Sequence, residues 1–128
     1  MAEFTDFMEN KIIDHMLRAQ AYTPPATVYV GLFTAAPSDA GGGTEVSGGS
    51  YARQAAGLSA ASGGASSNSA DITFPQATAD WGTVTHLALF DALTAGNMLM
   101  WTPLDASKEI NNGDTFKLEA GDLDVTVD

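Results

Sequence analysis

The chain has 128 residues, no cysteine, and sixteen acidic against five basic side chains, for a formal net charge of −11. This length suits one domain with a core of its own. The missing cysteine excludes disulfides and thiolate metal sites, and the charge argues against a basic nucleic-acid face or attraction to anionic membranes.

Residues 4–20 predict an amphipathic helix, because Phe4, Phe7, Met8, Ile12, Met16 and Leu17 recur at three- and four-residue spacing and Ile13 widens the stripe. Glu3, Asp6 and Glu9 stand where a secretory signal would be neutral or basic. No apolar run approaches the roughly 20 residues of a membrane-spanning helix. Thr5 is placed to cap the helix, with Asp6 and Glu9 near the positive end of its dipole. Asp14 and Arg18 have the four-residue spacing of a surface ion pair. Thr23-Pro24-Pro25 ends the helix. The stripe Phe4, Met8, Ile12 and Met16 is a candidate subunit contact, and packing on its own domain is the alternative.

From Thr27 the pattern becomes β. Thr27 to Thr34 reads as a central strand, since Val28, Val30 and Leu32 alternate with Tyr29 and Phe33 and both faces are apolar. Residues 37–50 predict a flexible Gly/Ser-rich loop, across which Glu45 and Arg53 can pair. A weak strand is expected at Tyr51 to Leu58. Residues 59–70 are Ala, Ser, Gly and Asn, suited to a mobile loop or a thin edge pair. Asp71 to Phe74 is a short strand ended by Pro75. Val84 to Ala92 and Asn97 to Leu104 form a hairpin across Thr94-Ala95-Gly96-Asn97. Thr115 to Glu119 follows the turn Asn111-Asn112-Gly113-Asp114. Leu123, Val125 and Val127 then alternate with Asp124, Thr126 and Asp128 in a strand with one wet face.

Seven or eight short strands with Gly-rich turns predict a mainly β chain, a β-sandwich or jelly roll with one N-terminal helix. The organisation is a single domain over residues 1–128, with the helix within 1–22 and the sandwich over 27–128.

No arrangement of side chains demands chemistry. His15 lies beside the helix stripe and His86 within a strand; neither has further ligands at metal-binding spacing, so both read as core or interface histidines. Asp80, His86 and Asp91 make an unconvincing acid–base group, because strand alternation separates His86 from Asp91. Asp91 is better placed to end its strand and accept turn amides. Asp114, Asp122 and Asp124 do not follow the twelve-residue calcium loop, and Gly41-Gly42-Gly43 lacks the ending of a phosphate loop. Trp101 belongs to an apolar run and reads as core or subunit contact. Trp81, in a turn, is the candidate for a surface role, including stacking on a sugar. No catalytic residue, metal or cofactor is expected.

Two stretches resemble a known family. They are Leu32-Phe33-Thr34-Ala35-Ala36-Pro37-Ser38-Asp39-Ala40-Gly41 and Thr44-Glu45-Val46-Ser47-Gly48-Gly49-Ser50-Tyr51-Ala52-Arg53. Asn68 to Pro75, Ala79 to His86 and Gly113 to Leu123 extend the likeness over nearly the whole chain. Together they resemble small virion proteins of tailed bacteriophages, often labelled tail-fibre proteins. The resemblance implies a structural, non-enzymatic protein of the virion, assembled in the host cytoplasm. Its implied partners are capsid or tail subunits and further copies of itself, not nucleic acid or membrane. The first expectation is a capsid decoration or cement protein. The alternatives are a tail or tail-fibre component at the host surface and a sugar-binding β module. The interface candidates are Phe4, Met8, Ile12, Met16 and Trp81, and the Gly/Ser-rich loops are expected to order on a neighbour.

Overall fold

The computed structural model describes residues 3–127; the expectation for Asp128 and the outer limits of the 1–128 domain lie outside them. Strand and turn dominate, with one helix near the N-terminus and antiparallel pairing throughout.

Glu3–Phe4 forms a two-residue strand, β1, and the helix α1 spans Asp6–Leu17. The expected helix is therefore shortened at both ends. Phe4 is held in a strand because its backbone pairs with Met100 of a later strand. Thr5 caps the helix and accepts from the Met8 amide. Its hydroxyl also donates to the Met98 carbonyl at 2.6 Å, so this cap fastens the helix to the body. At the other end, Ala19 adopts φ 56° and the Arg18 and Gln20 amides both reach the Asp14 carbonyl. The chain thus turns off before the prolines.

The main sheet has six strands. Tyr29–Ala35 is β2, Thr44–Glu45 is β3, Gln54–Ala55 is β4, Gly82–Phe90 is β7 and Met98–Ile110 is β8. The order is β1-β8-β7-β2-β3, with β4 also paired to β2. The central place expected for β2 and the hairpin of β7 with β8 are both observed. Ala65–Ser67 (β5) pairs with Asp124–Thr126 (β10), and Ile72–Thr73 (β6) pairs with Lys117–Leu118 (β9). These two small ladders form a second layer over one face of the main sheet, making a two-layer sandwich.

The core lies between the layers. Val30, Leu32, Leu87, Leu89 and Met100 from the main sheet meet Ile72, Phe74, Phe116, Leu118 and Leu123 from the ladders. The opposite face of the main sheet carries a smaller cluster of Phe33, Ala88, Phe90 and Met98, with Trp101 packed against it. Register explains the division: Val30 faces Leu89 and Leu32 faces Leu87, while Gly31 faces Ala88 and Tyr29 faces Phe90.

β8 runs six residues beyond the expected end at Leu104. Val84 pairs with Lys108, but His86 pairs with Pro103. Residues 104–107 therefore bulge from the ladder opposite Thr85, an irregularity that no local pattern announces.

Candidate functional site

Two groups of side chains stand out, a buried polar clamp and an uncovered helix end. The clamp begins with Arg53, which is 8% exposed and set against the ring of Phe90, its guanidinium carbon 3.5 Å from the centroid. Arg53 donates through Nε and Nη2 to both oxygens of Glu45, each at 2.9 Å. Its Nη1 donates to the carbonyls of Ala92 and Ala95 in the β7–β8 turn, at 2.9 and 2.8 Å. Four charge-assisted bonds and a ring contact thus join β3, the 46–53 segment and the hairpin tip.

Tyr51 completes this group. Its hydroxyl donates to Glu45 Oε2 at 2.6 Å and accepts the Leu32 amide at 2.9 Å. Burial, and then the bond to Glu45, pushes the phenol well above its ordinary pKa. Gly31 makes room for the carboxylate: a Cβ there would stand 2.8 Å from Glu45 Oε2. The expected Glu45–Arg53 pair is present, and it is a half-buried one.

Trp81 is not the surface residue its turn position suggested. It is 6% exposed, packs edge-on against Tyr51 with centroids 5.4 Å apart, and its indole N–H donates to the Gly49 carbonyl at 2.9 Å. Gly49 has φ 55°, and a Cβ there would lie 2.9 Å from the indole nitrogen. The 37–50 loop, expected to be flexible and to order on a neighbour, is held by its own body at Gly49, Glu45 and Asp39. The Asp39 carbonyl accepts the Asp6 amide, and its carboxylate lies 3.3 Å from the Trp101 indole nitrogen. Trp101 is half-buried on the outer face beside His86, with ring centroids 6.0 Å apart.

Residues 59–70 are likewise bonded to the body. Asn68, 1% exposed, donates to the carbonyls of Ala70 and Glu119 and accepts the amides of Gly121 and Leu123. This residue was not singled out in the sequence, and a lone Asn in a polar stretch carries no signal of burial.

The helix stripe splits. Phe4, Phe7 and Met8 pack against the main core, Ile12 is half-buried, and Met16 is 70% exposed. Ile13 and Leu17, at 50% and 79% exposure, stand with Met16 on one side of the last two turns. Phe4 and Met8 thus fulfil the alternative, packing on their own domain, while the free apolar surface is Ile13–Met16–Leu17. The Asp14–Arg18 pair forms at 2.9 Å in solvent.

Four further acids serve turns. Asp91 accepts the Asn97 amide, Asp114 that of Asn111, Asp122 that of Glu119 and Asp80 that of Asn112. His86 is hydrogen-bonded to Thr85 and not brought to Asp91 by any bond. Asp71 accepts the Ala120 amide and pairs with Lys117 at 3.2 Å; the amide first, then the lysine, holds its carboxyl below the ordinary range. Among the described residues no group of three or more His, Asp or Glu side chains is placed to hold a metal. Among them no helix is long and apolar enough to cross a membrane.

A family model described as Podophage GP4 fiber I protein gp80 matches residues 3–126, both the clamp and the helix included. The chain belongs to that family of phage fibre proteins. The fibre protein is accordingly a virion component, and the family supports the fibre alternative over the first expectation of capsid decoration. Among curated proteins none matches it at a significant level.

Proposed function

We propose that this chain is a structural part of the virion's fibre apparatus, without enzymatic activity, and that it works by contact with other virion proteins. The observation that carries this reading is the family match across 3–126. The free apolar end of α1 supplies a contact face, and engagement of Asp80, Asp91, Asp114 and Asp122 in turns leaves those acids to a structural role. A net charge of −11 favours protein partners over nucleic acid.

The test is to locate the protein on intact virions with a labelled antibody, and to compare heat-stressed particles made with and without it. The expected result is label on fibres and unchanged capsid stability. Label on the head, with capsids that break more easily in its absence, would restore the decoration reading.

A further inference from the structure

We propose that β1 and α1 form an exchangeable arm: between neighbouring copies, the arm of one seats on the β8 edge of the other, with Ala19 as the hinge. This deepens the fibre reading and rests on it for one condition, that copies stand close together on a virion.

The seat names its own occupant. Thr5 donates its amide to the Leu99 carbonyl at 3.0 Å and its hydroxyl to the Met98 carbonyl at 2.6 Å. The Asp6 amide reaches the Asp39 carbonyl at 2.8 Å, and Glu3 and Phe4 pair with Trp101 and Met100. Phe4, Phe7 and Met8 pack on the core. Every copy carries this seat and the same segment, 3–8, to fill it. An exchanged arm keeps each of these contacts, which is what makes exchange of an identical element a low-cost route to association.

Beyond Met8 the arm is barely held. No residue of α1 is fully buried. Among the described residues, those from 9 to 27 hydrogen-bond only within the arm. The Asp14 carboxylate takes the Arg18 guanidinium, its carbonyl takes the Arg18 and Gln20 amides, and His15 meets the Gln20 carbonyl. Bonding to the body resumes at Val28, whose carbonyl accepts the Ala56 amide.

The tether decides which seat is filled. Tyr29 pairs with Phe90 and Phe90 with Met98, so the start of β2 lies two strands, about 10 Å, from the seat. Residues 9–17 of α1 run about 13 Å outward, and 18–27 bring the chain back. Fully extended, 18–27 would span up to about 35 Å, enough to carry α1 to a copy alongside. Thr23-Pro24-Pro25 favours that extended form.

Ala19 acts in the same direction. It holds φ 56°, a left-handed conformation that costs a residue with a side chain. This turn folds the tether back towards its own body, and an extended Ala19 straightens it. The strain belongs to the closed copy and is released in the exchanged one. Charge selects exchange over plain surface contact: at −11 per copy the bodies repel, and exchange reuses a contact already made instead of needing a new one.

The test uses full-length chains with one cysteine each, a residue that the native sequence lacks. Glu3→Cys marks the arm, Trp101→Cys the seat opposite it, and Ala106→Cys an exposed control further along β8. Asp6→Cys with Asp39→Cys is a second arm-and-seat pair, both at exposed positions. Circular dichroism checks that each chain is folded, and the second pair serves if Trp101→Cys is not. Arm and seat variants are unfolded together in urea, refolded at micromolar or millimolar concentration, and oxidised; disulfide heterodimers are read by mass. The expected yield at millimolar concentration is at least tenfold above that with the control, and falls away at micromolar concentration, where each arm closes on its own seat. Ala19→Gly in both chains should lower the yield at least threefold. No heterodimer at millimolar concentration, or as much with the control, overturns the exchange. So does association in sedimentation without the disulfide, which means surface contact. A yield unmoved by Ala19→Gly overturns the hinge. Labelling of virions reads the fibre assignment independently, so the two can fail separately.

Discussion

Residues 37–53 are rich in glycine and serine and yet are bonded to the body at several points. The last turns of α1 are rich in large apolar residues and stand in solvent. Composition alone ranks these two regions the wrong way round. In the first, one guanidinium reaches Glu45, Ala92 and Ala95 at once, so a segment with little apolar surface is held by charge-assisted bonds around a ring contact. In the second, the side chains have the chemistry to be buried, but the helix leaves the body after the turn that packs Met8. The difference shows that order here comes from where bonding groups converge and not from apolar content.

The comparison breaks most severely at Arg53. Arg53→Ala leaves Glu45 Oε1 and two turn carbonyls without the arginine donor and Oε2 with Tyr51 alone, and a loss of about 3 kcal/mol in urea unfolding is expected. Arg53→Lys should recover only part of it, since an ammonium cannot make the two-pronged contact. An Arg53→Ala protein as stable as the native one would show that the clamp is not what holds the loop.

Asn68→Ala comes next. It removes four hydrogen bonds at a position 1% exposed, and the expected cost is about 2 kcal/mol or more. Faster amide exchange at Leu123 should accompany it, since that amide loses its acceptor, whereas the Gly121 amide keeps the Asn68 carbonyl.

Tyr51→Phe sharpens the comparison with pH. Loss of the hydroxyl should cost about 1 kcal/mol at neutral pH. The phenol's pKa is raised in the folded state, so its stabilising contribution is full below the ordinary tyrosine value of about 10 and is lost as pH rises above it. Thermal melts of the native protein should therefore fall on the alkaline side, and the Phe variant should lack that component.

The smallest effect on stability belongs to the helix end. Leu17→Asp, at 79% exposure, should move unfolding by no more than about 0.5 kcal/mol. A large destabilisation would mean that Leu17 packs on its own domain after all.

Much of the fold was legible because it is local. Helical spacing, the Thr5 cap, the Asp14–Arg18 pair and the β7–β8 hairpin each depend on residues within one element or one turn of each other. Alternation placed β2 in the middle of a sheet. The Glu45–Arg53 pair was visible as two opposite charges across a loop, though its burial was not. Trp81 was misread because a turn suggests exposure, and only the approach of Gly49 and Tyr51 from elsewhere buries it. The pairing of β5 with β10 joins residues some sixty positions apart in weakly patterned sequence, and the bulge at 104–107 follows from two registers meeting on one strand. Ile13 and Leu17 were seen as part of a stripe. Which part of a stripe the body covers depends on where the helix is anchored, and that anchor lies at Met98 to Met100.

The same anchor orders events in time. Thr5 and Met98 are bonded although they stand 93 positions apart in the numbering, and Phe4 pairs with Met100. During synthesis α1 is complete while β8 does not yet exist, so the helix has neither the carbonyl that takes its cap hydroxyl nor the strand edge beside Phe4. Closing so distant a contact is slow relative to local structure, and domains gain such contacts after most of their chain has emerged. The first element made is thus among the last to be docked. An apolar turn presented in a defined direction then exists only on a chain whose sheet is already finished.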